Sequence, residues 1–295
     1  MDQKISINSL TERRLILADV SKALLLSQEA NWNQTARDWQ MMLTHGEGFG
    51  FETQEKRLVA TALTLPHGNR VGWISMVLVT RDFQKQGLAT RLLQICIESL
   101  KHRNMIPLLD ATEAGRPVYT KLGFQSLYGF HRLMRKSPPE RGGPGILQSR
   151  EISTQLITES ELPEIASFDK EIFGADRFLV LRHLWERQQN YALIAYDNDT
   201  AIKGFMMARE GIQALQLGPI VARDSKTAIL IAGRALKDIR EPVYIDALDR
   251  HQTFLTWLKE QGFVPQRSFT RMYLGTLTEF DQPNCIFATA GPELG

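Results

Sequence analysis

Residues 72–100 read GWISMVLVTRDFQKQGLATRLLQICIESL. Residues 73–79 form an apolar run of a kind that fits a buried strand. Residues 80–86 form a polar turn that includes Phe83, and Gly87 follows. Leu88, Leu92, Leu93, Cys96, Ile97 and Leu100 then recur at the spacing of one buried helix face. The stretch is therefore a strand, a polar loop, a glycine and a helix. A helix start presents N–H groups that lack intrahelical partners, at the positive end of its dipole, and a glycine there lets a ligand come close. Such a joint can hold a pyrophosphate. Many strand–loop–helix joints carry a glycine and hold nothing, so the pattern alone leaves the ligand open.

The residues are more specific than the pattern. Gln84-Lys85-Gln86-Gly87-Leu88-Ala89, following Val77-Leu78-Val79, resembles the acetyl-CoA signature of the GCN5-related N-acetyltransferase (GNAT) family. Tyr119-Thr120-Lys121-Leu122-Gly123-Phe124 resembles a later element of the same domain, in the right order and at the right separation. The resemblance covers residues 10–135. It implies an α/β (α+β) fold, a mixed and mostly antiparallel central sheet flanked by helices, with acetyl-CoA as acetyl donor and no metal. It further implies that strands diverge after Val77, Leu78 and Val79, whose backbone would hydrogen-bond pantetheine. The Val79 N–H would then meet the thioester oxygen as a fixed donor to the developing oxyanion. The N–H groups of Gln84, Lys85, Gln86, Gly87, Leu88, Ala89 and Thr90 would cradle the pyrophosphate, with Lys85 and Arg91 adding charge or simply facing solvent. Tyr119 would protonate the leaving thiolate, its alternative being an aromatic that only packs.

A chain of 295 residues suits one large domain or two ordinary ones. Its 43% hydrophobic and 23% charged residues are globular values. A net charge of +2, without basic runs interleaved with aromatics, gives no argument for nucleic acid. Residues 1–137 hold 18 Lys and Arg against 12 Asp and Glu; residues 138–295 hold 17 against 21. A basic first half suits an anionic ligand such as CoA and an acidic second half could attract an amine, unless the surface charge is merely uneven. Cys96 lies on the apolar helix face and Cys285 near the C-terminus, at no metal-ligand spacing. With no signal-peptide core at residues 1–14 and no apolar run of membrane-spanning length, a cytoplasmic protein is expected.

A first strand is expected within residues 5–7 or 14–17, then a helix to Leu26. Thr35 can cap a helix over residues 36–43. Trp32, Asn33 and Gln34 in the preceding turn border the acceptor pocket in a fold of this type, and are candidate substrate contacts if Trp32 is not buried for packing alone. Strands follow over 48–51 and 58–65, and a short one over 105–110. Pro117 opens a helix that Gly123 closes. In residues 136–145, six of ten are Pro or Gly, which marks a linker. The second half repeats the outline: a strand over 215–221, helices over 228–239 and 254–261, a strand over 242–246, and Gly262-Phe263 echoing Gly123-Phe124. Residues 225–228 carry no glycine at the helix mouth, and Leu258 stands where Tyr119 would. The expected organisation is a catalytic acetyl-CoA-binding domain (1–137), a Pro/Gly linker (138–146) and a degenerate copy (147–295) that binds no CoA and completes the acceptor pocket. Phe269-Thr270-Arg271-Met272-Tyr273 also resembles the tandem members of the family.

For the proton on the attacking amine, Asp110 and Asp246 are the first candidates, each at the end of a core strand, with Glu113 and His131 next; water is the alternative. Tyr244 and Arg271 are further candidate substrate contacts. The expected activity is N-acetyl transfer to a primary amine, a small-molecule acceptor ahead of a protein lysine. Neither nucleic acid nor membrane is an expected partner, and the assembly is a monomer or homodimer. The competing class is a non-catalytic acyl-CoA sensor, against which Tyr119 weighs.

Overall fold

The computed structural model describes residues 9–139 and 149–295 of the chain. It divides into two compact units, Met1–Leu109 and Asp110–Gly295. The first unit holds β1 (Thr11–Leu15), β2 (Glu47–Glu52), β3 (Leu58–His67), β4 (Val71–Val79) and the start of β5 (Ile106–Thr112), side by side in that order. Neighbours are antiparallel except β4 and β5, which are parallel. Helices α1 (Val20–Glu29) and α2 (Ala36–His45) pack on each other and on β3, and α3 (Leu88–His102) lies across β2, β3 and β4.

Local chemistry explains these elements. The Thr35 N–H (2.7 Å) and hydroxyl (2.9 Å) both reach the Asp38 carboxylate, closing the first turn of α2. The six apolar residues expected on the buried face of α3 are the six it buries. Gly72 lets that helix settle closely on β4: a Cβ there would strike the Leu100 side chain. The first strand is β1; residues 5–7 lie outside the described residues.

The second unit begins with the end of β5, then α4 (Arg116–Lys121) and β6 (Gln125–Arg135). Next come β7 (Ile152–Leu156), α5 (Leu162–Phe173), α6 (Phe178–Arg187), β8 (Leu193–Asp197), β9 (Ile202–Arg209) and β10 (Leu215–Ala222). Last are α7 (Ser225–Leu236), β11 (Val243–Leu248), α8 (Gln252–Glu260), β12 (Val264–Tyr273) and β13 (Ile286–Ala288). Its strands lie in the order β12-β6-β11-β13-β10-β9-β8-β7. Only β10 and β11 are parallel among these registers. The core packs α7 and α8 on this sheet through Ile231, Leu217, Ile245, Phe254 and Leu258.

The compact units divide at Leu109, ahead of the boundary expected near residue 137. The cause is β6, which pairs antiparallel with β11 on one edge (Val243↔Arg135) and with β12 on the other (Tyr273↔Gln125). A Pro/Gly run identifies a loop, whereas strand pairing decides which body a strand joins. Residues 140–146 of the linker lie outside the described residues, as do 147–148. The internal repeat is visible in the backbone. Phe124 N–H donates to the Tyr119 carbonyl (3.1 Å) and Phe263 N–H to the Leu258 carbonyl (3.0 Å). Gly123 (φ 91°) and Gly262 (φ 85°) both take the left-handed conformation that ends a helix.

Candidate functional site

In the first unit, β4 carries one residue more than β3 between Ser75↔Leu63 and Leu78↔Thr61. The extra residue is a β-bulge at Met76 (φ 53°), held by the Thr61 hydroxyl, which donates to the Met76 carbonyl at 2.9 Å. The parallel register with β5 covers Val71–Trp73 against Ile106–Leu108. Residues 74–79 lie beyond it, so divergence begins earlier than Val79, and the edge that would face β5 carries the backbone groups of Val77, Leu78 and Val79. Backbone polar groups on such an edge need a partner. The bulge leaves no trace in the hydropathy pattern, since Met76 is as apolar as its neighbours.

After β4 the loop is pinned from several sides. Phe83 is buried beneath it. Glu29, from α1, accepts from the Thr80 hydroxyl (2.8 Å) and the Arg81 N–H (2.8 Å). Burial works against that carboxylate, yet the two bonds hold it below its ordinary pKa. Gln84 donates to the Val79 carbonyl (3.0 Å) and Gln86 to the Asp82 carbonyl (3.1 Å). Both glutamines thus shape the loop through their side chains. Lys85 (φ 60°) and Gly87 (φ 88°) are left-handed, which turns the chain sharply into α3. Gly87 is exposed, and a Cβ there would meet no protein atom within 4 Å. Space in front of it is open. The first intrahelical bond runs from Arg91 N–H to the Gly87 carbonyl (3.0 Å), so the N–H groups of Leu88, Ala89 and Thr90 have no acceptor within the helix. The Arg91 side chain is paired with Glu12 (2.9 Å).

The turn between α1 and α2 places Trp32 half-buried and Asn33 and Gln34 buried, at 1% and 4% exposure. The Gln34 Oε1 is buried without a hydrogen-bond partner. Such an acceptor costs about 1–3 kcal/mol in a folded protein.

In the second unit, Tyr119 sits half-buried on α4, edge-on to Phe124 at 6.1 Å between centroids. Burial pushes its hydroxyl up to about 12. It is therefore a protonated donor throughout the neutral range.

The carboxylates expected as bases are differently employed. Asp110 takes a two-pronged ion pair from Arg271, Nε to Oδ1 at 2.9 Å and Nη2 to Oδ2 at 3.0 Å, with both side chains buried. Arg271 also donates to the Tyr128 hydroxyl (2.9 Å), which donates to Asp281 (2.5 Å). Burial pushes Asp110 up to about 6, with Arg271 pulling it back down. Asp246 is gripped in the same way by Arg132 (2.8 Å on each oxygen), and Gln216 adds a bond at 3.1 Å. Each of these carboxylates has both oxygens engaged by an arginine, and Arg271 is engaged in turn by Asp110 and Tyr128. Tyr244 is buried; its hydroxyl donates to Gln213 (2.9 Å) and accepts from Gln266 (3.1 Å). Glu113 is exposed, and His131 pairs with Asp249 (2.6 Å). Arg132, Tyr128 and Asp281 had no distinguishing context in the sequence.

Among the described residues, no group of three or more His, Cys, Asp and Glu is arranged to hold a metal ion, and no helix is long and apolar enough to cross a membrane.

A bulged strand feeding an open, glycine-led helix mouth, in a chain that repeats its own strand–helix order, defines a tandem acyltransferase architecture. The chain belongs to the GNAT family. Residues 18–124 match the acetyltransferase (GNAT) family and residues 165–287 a second acetyltransferase (GNAT) domain. It is 26% identical over 247 residues to the uncharacterized N-acetyltransferase YitH of Bacillus subtilis (strain 168), covering 83% of this chain and 84% of that one. It is 24% identical over 251 residues to the holothin acyltransferase of Pseudoalteromonas sp. (strain SANK 73390), covering 84% and 82%. A Pyrococcus horikoshii crystal structure assigned as an acetyltransferase shares the fold with a TM-score of 0.78, at 18% identity, covering 100% of this chain and 99% of that one.

Proposed function

We propose that this protein is an acetyl-CoA-dependent N-acetyltransferase acting on a primary amine of a small molecule. The observation that carries the reading is the mouth of α3. Left-handed Gly87, open space before it and the unclaimed N–H groups of the first turn suit a pyrophosphate. The backbone of Val77, Leu78 and Val79 beyond the β4–β5 register suits the pantetheine arm, with the Val79 N–H as donor to the carbonyl oxygen as it gains charge. Bound there, acetyl-CoA supplies the thioester that the acceptor attacks directly.

Tyr119 acts as general acid. Its hydroxyl stays protonated through the neutral range, so the proton is in place to be donated to the sulfur as negative charge develops on the departing thiolate. The amine attacks in its neutral form and loses its proton to water, since Asp110 and Asp246 are engaged by arginines. Trp32, Asn33 and Gln34 contact the acceptor, the unpaired Gln34 oxygen receiving an N–H or O–H from it. The relative named for acylating holothin favours a discrete compound over a protein lysine.

The test is free-thiol release from acetyl-CoA across a panel of amines, followed by Tyr119→Phe on any acceptor found. Turnover should fall about 10²–10⁴-fold with acetyl-CoA affinity retained. Tight acetyl-CoA binding with no thiol release for any amine would instead make the protein a sensor.

A further inference from the structure

The second unit contains the same bulged strand as the first, and its open edge is filled by the chain itself. On β10 one extra residue lies between Leu217↔Ala208 and Ile220↔Met206. It falls at Gly218 and Pro219, three and two residues before Val221, as Met76 and Val77 precede Val79. The parallel register of β10 with β11 covers Leu215–Leu217 against Val243–Ile245. In the first unit the corresponding edge continues past its neighbour. Here β13 enters the gap, antiparallel to β10 (Ile220↔Ala288, Val221↔Ile286) and to β11 (Ala247↔Ala288).

We propose that β13 stands in for the acyl-pantetheine arm of the second unit, sealing its groove, so that each chain binds a single acyl-CoA through Gly87. This rests on the reading of the β4 edge as the acyl-CoA groove. Four observations carry it. The backbone bonds are taken: Ala222 N–H donates to the Cys285 carbonyl (2.9 Å) and Thr289 N–H to the Asp246 carbonyl (3.0 Å). Pro219 has no N–H to offer a ligand where Val77 has one. Gly218, at φ 151°, is shaped for the strand, because a Cβ there would collide with the Thr289 carbonyl. The strand is also anchored: the Phe287 ring stacks on His251 at 3.9 Å and meets Phe254 edge-on at 5.5 Å, and His251 Nε2 lies 2.8 Å from the Ile286 carbonyl. Ile286, Phe287 and Ala288 are all buried. A missing glycine at the mouth of α7 would weaken a pyrophosphate site; β13 removes the groove behind it.

Calorimetric titration with desulfo-CoA and amide hydrogen exchange test this on the full chain. Wild type should bind one equivalent, and Gly87→Glu, which sets a like charge before the pyrophosphate, should bind none. The Ala222 and Thr289 amides should be as protected as the core of β10, with or without ligand. Gly218→Ala should speed their exchange by at least about tenfold while the single CoA site persists. Two equivalents in wild type, one remaining in Gly87→Glu, or free-chain exchange at Ala222 and Thr289 would each overturn the proposal. If wild type binds no CoA while these amides stay protected, it is the acyl-CoA reading of the first unit, and the one-site stoichiometry with it, that falls.

Discussion

Gly87→Ala separates what the glycine does for the fold from what it does for a ligand. Its φ of 88° is one that an L-residue adopts at a cost of about 1–2 kcal/mol. Nothing in the protein lies within 4 Å of the added methyl, so no packing penalty joins that strain. Stability should therefore drop by about 1–2 kcal/mol, a shift of a few degrees in melting temperature. The effect on acetyl-CoA should be larger. The methyl projects into the space a pyrophosphate would occupy, at a helix start whose N–H groups are the donors. Hydrogen bonds to a charged group contribute about 1.5–3 kcal/mol each, so lengthening two of them weakens binding by about 3 kcal/mol or more, some two orders of magnitude. The assay is calorimetric titration of acetyl-CoA into both proteins at equal ionic strength, paired with thermal unfolding without ligand. Unchanged affinity at the expected loss of stability would refute the cradle and leave Gly87 as a turn residue only.

Two further outcomes follow from Tyr119 and Gln34. Tyr119, pushed up to about 12, holds its proton below that pH, so kcat should show no alkaline loss up to about pH 10, while kcat/KM climbs as the acceptor amine deprotonates; an alkaline limb near pH 8 that vanishes in Tyr119→Phe would contradict this. Gln34→Leu removes a buried acceptor with no partner and should leave stability unchanged or raise it by up to about 1–2 kcal/mol, while the KM for the acceptor rises and that for acetyl-CoA does not; equal shifts in both would remove Gln34 from the acceptor contacts.

The fold was legible where periodicity and punctuation agree. Residues 73–100 display a strand, a glycine and one helix face, and the structure keeps each. Thr35 and Gly123 act at the helix ends where their chemistry suits them. What the sequence does not display is pairing at a distance. β6 ends at Arg135, before the Pro/Gly run, yet its hydrogen bonds lie with β11 and β12, more than a hundred residues later. The three residues of β13 are too few for a periodic signal, and only Gly218 hints that another backbone comes close. The site was legible in part for the same reason. Gly87 and the helix mouth are contiguous in sequence, whereas the partners of Asp110 and Asp246 come from strands far along the chain.

Those partners also bind the two aspartates, each inside its strand, into the packing of the repeats. Arg132 and Arg271 lie eight residues after Phe124 and Phe263, so they are equivalent positions of the two repeats. Yet Arg271, from the second repeat, holds Asp110 of the first, and Arg132, from the first, holds Asp246 of the second. Phe130 and Phe269, register partners on the paired strands β6 and β12, stack 5.1 Å apart and 13° from parallel. The exchange is reciprocal, and each fork is buried. Removing one partner of such a pair strands the other charge and costs about 3–5 kcal/mol. For Asp110→Asn the cost should fall at the lower end, about 3 kcal/mol, because Arg271 keeps Tyr128 and, through it, Asp281. Arg271→Gln should cost a similar amount, leaving Asp110 buried without a cation. The double variant should then be at least about 2 kcal/mol less damaging than the two single costs added, as read from urea unfolding. Additive costs would show that the fork contributes nothing as a pair. An Asp110→Asn protein of wild-type stability that had lost turnover would return Asp110 to the role of base, because a side chain whose work is to hold Arg271 cannot be replaced without loss of stability.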